Sequence, residues 1–336
     1  MEWLNDLFGD ENKPPQFRPD EETTQHSKAS TVKQRFDDLA NVLKEIDPDL
    51  VVVVEGPSRP QELQLFFDRI GTGTWATYLQ ISSPKQTQNI GIAARTDTGK
   101  FELAPYKTQN TVTDTRFDPF QTDTDEDDLK EQHRFERRPL YVEVHPAGGR
   151  AFQILGLHLK SKGIFDALEW SKWWAKADAN RKKIIAQAMQ IRTKFLDSYL
   201  TDAKTKDIPL IVCGDINDGP GLDASEKKLY NSGIESLMGN VWKPELCLGN
   251  AIFDALKPKD QQALNFSSIY TTSYRDPIFD GMYQKEWIDH ILYSKVPVSK
   301  WVQNARIHGM MSGNTPIWKK YPHGSDHFPA SVEITT

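Results

Sequence analysis

The chain has 336 residues, 41 of them basic and 47 acidic, for a formal charge of -6, with 38% hydrophobic and 10% aromatic residues. That apolar content can bury a core and excludes a chain disordered as a whole. The acidic balance excludes a broadly cationic nucleic-acid coat protein, while leaving room for an enzyme with a local basic patch.

At the amino end, Met1-Glu2-Trp3-Leu4-Asn5-Asp6 has neither the basic stretch nor the apolar core of a signal peptide. No apolar run reaches the roughly 18 residues of a membrane span. A cytoplasmic protein is the default expectation; a secreted form whose leader has been removed reads the same. Residues 9–30, with Pro14, Pro15 and Pro19, read as a loop. Val32, Phe36, Leu39, Ala40, Leu43 and Ile46 then recur at helical spacing, with Thr31 or Ser30 as cap and Asp47-Pro48-Asp49 as stop. Leu50–Val54 is a short β-branched run that predicts a strand buried on both faces. A short helix is expected at Leu63–Ile70, and strands at Asn89–Ala94, Pro139–Val144 and Phe152–Leu159, the last apolar on both faces and therefore central. A long helix over Ala177–Leu200 and strands at Ile208–Cys213, Glu286–Tyr293 and Ala330–Ile334 complete the pattern. Strands interspersed with long helices predict a layered α/β (α+β) fold. No linker divides the chain, so residues 1–336 are expected to form one domain. Cys213 and Cys247 suit neither a disulfide framework nor a zinc ribbon.

Residues 114–131 carry eight acids against Arg116 and Lys130, so the net charge of the chain is that of this segment and the rest is balanced. An acidic, solvated surface insertion over residues 107–137 is expected. The sharper reading is a structural Ca²⁺ loop or a gate, because Asp123-x-Asp125-x-Asp127 alternates acids. The glycine and distal glutamate of an EF-hand are missing.

Polar residues interrupt or end apolar runs at five places: Glu55, His158, the Asp215/Asn217 pair, Asp289, and the Asp326/His327 pair. Each has an ordinary alternative, such as a turn cap for Glu55, a hydrogen-bonded core histidine for His158, or an ion pair with Lys or Arg for Asp289. Five such places at strand ends argue for a common cleft. Several carboxylates gathered there would repel one another without a cation. Acids with an asparagine and no cysteine form a hard-oxygen set suited to Mg²⁺ or Mn²⁺. Histidines add acid–base capacity near neutral pH. Together these are the equipment for attack of water on a phosphate ester.

The order of the pieces resembles the endonuclease/exonuclease/phosphatase superfamily, which includes DNase I-like nucleases and inositol polyphosphate phosphatases. The pieces are Leu50–Glu55, Gly156-Leu157-His158-Leu159-Lys160-Ser161, Gly214-Asp215-Ile216-Asn217-Asp218, Trp287-Ile288-Asp289-His290-Ile291 and Ser325-Asp326-His327. The resemblance implies a four-layer α/β/β/α sandwich of two mixed sheets and a divalent-metal phosphodiesterase. It implies that Glu55 and Asp326 serve the metal, and that His327, oriented by Asp289, activates water or contacts the phosphate. It further implies that Asp215 and Asn217 position nucleophile and phosphate oxygen, and that His158 contacts phosphate or serves the leaving group. Which histidine is acid and which base stays open. The pattern departs at one point: the family's first strand, ending in a metal-side asparagine, is missing from the given sequence. Restoring such a strand is expected to tighten Mn²⁺ binding.

For the substrate, Lys160, Lys172, Lys176 and Arg181 follow the His158 strand and interleave with Trp170, Trp173 and Trp174. Basic residues with aromatics can hold phosphates and stack bases, so nucleic acid is the leading expectation. The alternatives are a phosphomonoesterase acting on inositol phosphate or phospholipid headgroups, and a catalytically weakened scaffold. The oligomeric state is not legible.

Overall fold

The structure, a computed structural model, describes residues 4–24, 30–82, 88–110, 112, 116–124, 127–164, 169–221, 223–263, 269–275, 282–295 and 300–335. Helix α1 (Val32–Ile46) starts on the expected cap. The Thr31 hydroxyl accepts from the Gln34 N–H at 3.2 Å, and the Gln34 side chain accepts from the Thr31 N–H at 2.9 Å. Next come β1 (Leu50–Gly56), α2 (Pro60–Ile70), β2 (Trp75–Gln80), β3 (Asn89–Arg95) and β4 (Phe101–Thr108). A short pair, β5 (Phe120–Thr122) and β6 (Glu131–His133), precedes β7 (Leu140–Pro146), β8 (Phe152–His158) and the long helix α3 (Trp170–Ile191). Then come β9 (Leu210–Asp215), β10 (Gly249–Asn250), β11 (Thr272–Arg275), β12 (Tyr283–Glu286), β13 (Asp289–Tyr293), β14 (Val302–Ile307) and β15 (Ala330–Ile334).

A six-stranded sheet has the order β10-β13-β9-β8-β7-β4, in which only β8 and β9 run parallel. A three-stranded antiparallel sheet has the order β1-β3-β2, and β14 pairs with β15. The inner faces meet through Ile90 and Ile92 against Leu140, Val142, Ile154 and Ile211. Outside the smaller sheet, Phe36, Leu39, Phe66 and Phe67 of α1 and α2 cover Val53 and Ala93. Outside the larger one, Ile184, Ala188 and Ile191 of α3 cover Leu155, Leu157 and Val212. The result is the expected α/β/β/α sandwich, with β8 in the interior of its sheet. Among the described residues the only strand paired with β1 is β3 and the only one paired with β15 is β14, and the Leu4 N–H donates to the Glu55 carbonyl of β1 at 3.3 Å. The edges of β1 and β15 line a cavity of about 1410 Å³ together with α1 and the inner face of the larger sheet.

Two expectations are corrected. Helix α3 begins at Trp170, not Ala177, because its first two turns carry exposed residues such as Lys172, Trp174 and Lys176 that show no apolar stripe. Residues 286–293 are not one strand. The Thr271 hydroxyl accepts the N–H groups of both Ile288 and Asp289, at 3.1 and 3.0 Å, which takes the Trp287-Ile288 step out of the ladder. In the acidic segment, Asp123 and Asp127 accept from the N–H groups of Asp128 and Leu129 at 2.9 Å, so these carboxylates brace their own turn. Asp114, Asp125 and Glu126 lie outside the described residues. Among the described residues no helix is long and apolar enough to cross a membrane.

Candidate active site

Strand register brings the first three groups together. In the β8–β9 ladder His158 stands beside Asp215, and in the β9–β13 ladder Asp215 stands opposite Asp289. Residues far apart in sequence thus form one row across three neighbouring strands, at the end where the sheet gives way to loops. Gly214 permits the close approach. Its φ is +129°, and a Cβ there would come within 2.1 Å of the Leu157 carbonyl oxygen. Asn217 sits in the left-handed region at φ 56°, where asparagine is among the better tolerated residues. This lets its backbone N–H reach one Asp215 carboxylate oxygen at 2.8 Å and its side-chain N–H₂ reach the other at 2.9 Å. The same amide donates to the Leu159 carbonyl at 3.1 Å, tying the loop after β9 to the end of β8.

His327 arrives from the loop before β15. The Thr272 hydroxyl donates to the Asp326 carbonyl at 2.9 Å, and the Phe328 N–H donates to the Thr271 carbonyl at 2.6 Å. These bonds place His327 Nδ1 2.8 Å from Asp289 Oδ2, the carboxylate–imidazole pair expected from the sequence. Burial works against the charge of His327, but the Asp289 charge and hydrogen bond, joined by the charges of Asp215 and Asp326, together hold its pKa well above the ordinary value and favour the imidazolium at neutral pH. His158 is opposite. It is 4% exposed, burial and the nearby Arg137 charge hold its pKa well below the ordinary value, and its ring is neutral. Its Nε2 lies 3.5 Å from Asp215 Oδ2, and its Nδ1 is buried with no hydrogen-bond partner among the described residues. One site thus holds one charged and one neutral histidine.

Two carboxyl groups of the site are raised above their ordinary range. Burial first, and the Asp289 charge second, push Asp215 up to about 7. Burial also raises Glu55, at the end of β1, and the Asp326 charge pushes the same way. Among the described residues one trio of acidic and imidazole atoms falls within 4.8 Å, namely Asp215, Asp289 and His327. We read the Asp289–His327 part of that trio as an ion pair, since an imidazolium is no ligand. Glu55 and Asp326 stand outside that trio; hard oxygen donors of this kind suit a divalent cation, and Glu55 and Asp326 are the groups that could hold it.

Arg137 was missed by the sequence reading. It lies between Glu136 and Arg138 in an unremarkable polar run, and its only signal was its nearness to the β7 strand. Its guanidinium donates to the Gln88 side chain and, at 3.3 Å, to the Leu159 carbonyl, and it senses the charges of Glu55 and Asp215. The four proposed substrate contacts are dispersed. Arg181 is committed to Asp223 at 2.9 Å and to the Lys162 carbonyl at 3.1 Å. Lys172 is exposed and pairs with Glu169 at 3.3 Å, Lys176 is exposed, and the Lys160 ammonium donates to the Ser161 carbonyl at 3.2 Å. Trp174 is 59% exposed on the first turns of α3, with the Lys228 ammonium 6.0 Å from its ring centroid, while Lys172 and Lys176, two residues to either side, project away from it.

The sequence profile described as the Endonuclease/Exonuclease/phosphatase family matches residues 24–327. No curated protein matches the sequence. Among solved structures, the human Nocturnin catalytic domain with bound sulfate anion is similar at 17% identity, covering 89% of this chain and 87% of that one, with a TM-score of 0.44. A mannosyl-6-phosphatase of Bacteroides thetaiotaomicron is similar at 16% identity, covering 90% and 91%, with a TM-score of 0.44. An AP endonuclease of Leishmania major is similar at 11% identity, covering 91% and 84%, with a TM-score of 0.44.

Proposed function

The chain belongs to the endonuclease/exonuclease/phosphatase family of phosphoester hydrolases, and from that premise we propose that it hydrolyses phosphodiester bonds, with nucleic acid as substrate and Mg²⁺ or Mn²⁺ as cofactor. The observation that carries the reading is the row His158–Asp215–Asp289 with His327 closing on Asp289 at 2.8 Å. A divalent cation bound at the carboxylates would supply charge neutralisation and Lewis acidity at a phosphate oxygen.

The residues of the chain do the rest. Asp215, held in one orientation by the two Asn217 N–H donors, is placed to take a proton from the attacking water. The His327 imidazolium, fixed by Asp289, faces the negative charge that builds on the phosphate. Arg137 offers a second positive charge on the Glu55 side. Neutral His158 can orient a phosphate or leaving-group oxygen without adding charge. Support for a nucleic-acid substrate comes from exposed Trp174, whose ring has the Lys228 ammonium 6.0 Å from its centroid, a stacking surface beside a cation.

The deciding experiment incubates the protein with plasmid, single-stranded DNA, RNA, an inositol polyphosphate and bis-p-nitrophenyl phosphate, with Mg²⁺, Mn²⁺ or chelator. The expected result is metal-dependent cleavage of nucleic acid and of the chromogenic diester, abolished by His327→Ala and Asp215→Asn. Turnover of the inositol phosphate alone would overturn the nuclease reading, and activity surviving both substitutions would overturn the site. Lys172→Glu with Lys176→Glu should weaken DNA cleavage more than cleavage of the small diester; equal losses would count against a nucleic-acid groove.

A further inference from the structure

A second polar cluster lies behind the site and touches none of the reacting groups. Lys162, four residues after His158, turns its ammonium inward between Asp218 Oδ1 at 2.6 Å and Glu226 Oε1 at 2.8 Å, with Asp223 Oδ2 at 3.5 Å. Its side chain is 16% exposed, that of Asp218 is fully buried, and that of Glu226 is 2% exposed. Arg181 closes the group through Asp223 at 2.9 Å. Three carboxyl groups face two cations; burial and the neighbouring Asp218 push Glu226 up to about 7, while Lys162 and its hydrogen bonds hold Asp218 below its ordinary value against the effect of burial. A buried network of this kind stabilises little relative to apolar side chains of the same volume, and its value lies in fixing geometry.

Each arm of the cluster grips one of the segments that carry the site. Lys162 belongs to the loop leaving β8, and its carbonyl accepts from the Arg181 guanidinium at 3.1 Å. Asp218 ends the loop leaving β9, one residue after Asn217. Its two carboxylate oxygens accept the N–H groups of Gly219 and Ile234, each at 3.0 Å. Its carbonyl stands 2.9 Å from Nε2 of His290, the neighbour of Asp289 on β13. Asp218 is therefore the node where the loop bearing Asn217, the loop after His158 and the strand bearing Asp289 are joined, and Lys162 is the buried cation that holds the node closed.

We infer that Lys162 and Asp218 are positioning residues for the hydrolytic site, setting the spacing of His158, Asn217 and Asp289 without touching substrate. The inference rests on the proposed phosphoesterase reading for its kinetic consequence and on geometry alone for its structural one. A displacement of about 1 Å in such a site costs on the order of 10²-fold in turnover.

The test uses the full chain with Mn²⁺ and bis-p-nitrophenyl phosphate. Lys162→Met alone strands buried carboxylates and can fail to fold, so it is paired with Lys162→Met/Glu226→Gln, which removes one ammonium and one carboxyl group together. The double variant should fold and lose about 10²-fold in kcat with KM within about threefold of wild type, and Lys162→Arg should restore most of the loss. Hydrogen exchange on the metal-free double variant should show the amides of 216–219 and 289–290 opening at least tenfold faster, while those of Phe152–Leu157 stay unchanged. This second readout decides the structural claim even if the chosen diester is no substrate. Wild-type exchange at 216–219, or a loss seen only in KM, would overturn the inference.

Discussion

Asp215→Asn probes the electrostatics of the site without any substrate. The Asp215 carboxyl is raised from 3.8 to about 7 by burial and then by Asp289. A native-state pKa above the unfolded one means that the native state binds the proton between those two values and the unfolded chain does not. Stability from this group therefore falls as pH rises through that window and is lowest above 7. Three units at about 1.4 kcal/mol each put the cost of the anion at roughly 4 kcal/mol. An asparagine keeps an oxygen for the Asn217 N–H, now at 2.8 Å, but opposes its own N–H₂ to the Asn217 amide now at 2.9 Å, a mismatch of about 1–3 kcal/mol. The net expectation at pH 8 in chelator is a gain of about 2 kcal/mol, or about 3 °C in Tm for a chain of this size. At pH 4.5 the wild-type carboxyl is protonated and the gain disappears or reverses. Thermal unfolding of both proteins at pH 4.5, 6 and 8 measures this, and Mn²⁺ should then stabilise wild type more than the variant. Stability curves that run parallel across pH would refute the electrostatic account.

Asp289→Asn removes the partner that keeps His327 charged. The stability of that pair is complete below about pH 6.5 and is lost as pH rises through the raised native pKa. The basic limb of the pH–rate profile should move to lower pH, with kcat down by about 10²–10⁴. Arg137→Met should raise KM for a diester about tenfold, by analogy with other charged hydrogen bonds. It should also shift the His158 titration upward in NMR, since the guanidinium charge helps to hold it down. Gly214→Ala should cost more than about 3 kcal/mol, read as a lower denaturation midpoint at unchanged slope, because its Cβ has no room beside the Leu157 carbonyl.

Much of this protein is legible along the chain. Apolar runs gave β1, β8 and β15 nearly to the residue and placed β9 two residues early, since it runs on through Gly214 to Asp215; of the four only β8 is buried along its whole length, and β1, expected to be buried on both faces, is half-buried at most positions. Helix α1 was legible with Thr31 or Ser30 as its cap, because a cap is a local hydrogen bond; the structure chose Thr31 and added the return bond of Gln34. The polar residues at strand ends were legible as exceptions within those runs. What depends on distant groups was not. Strand β13 could not be separated from the turn before it, since the hydroxyl that breaks the ladder comes from Thr271. Arg137 carries no periodic mark, and Lys162 looked like one more cation in a basic stretch until Asp218 and Glu226 closed around it. The sequence by itself determined which residues could do the chemistry and in what order they occur. The tertiary structure decided which stand together and in what charge state. Protonation follows from burial and from the nearest charge, and Asp289 lies 38 residues from the histidine it charges.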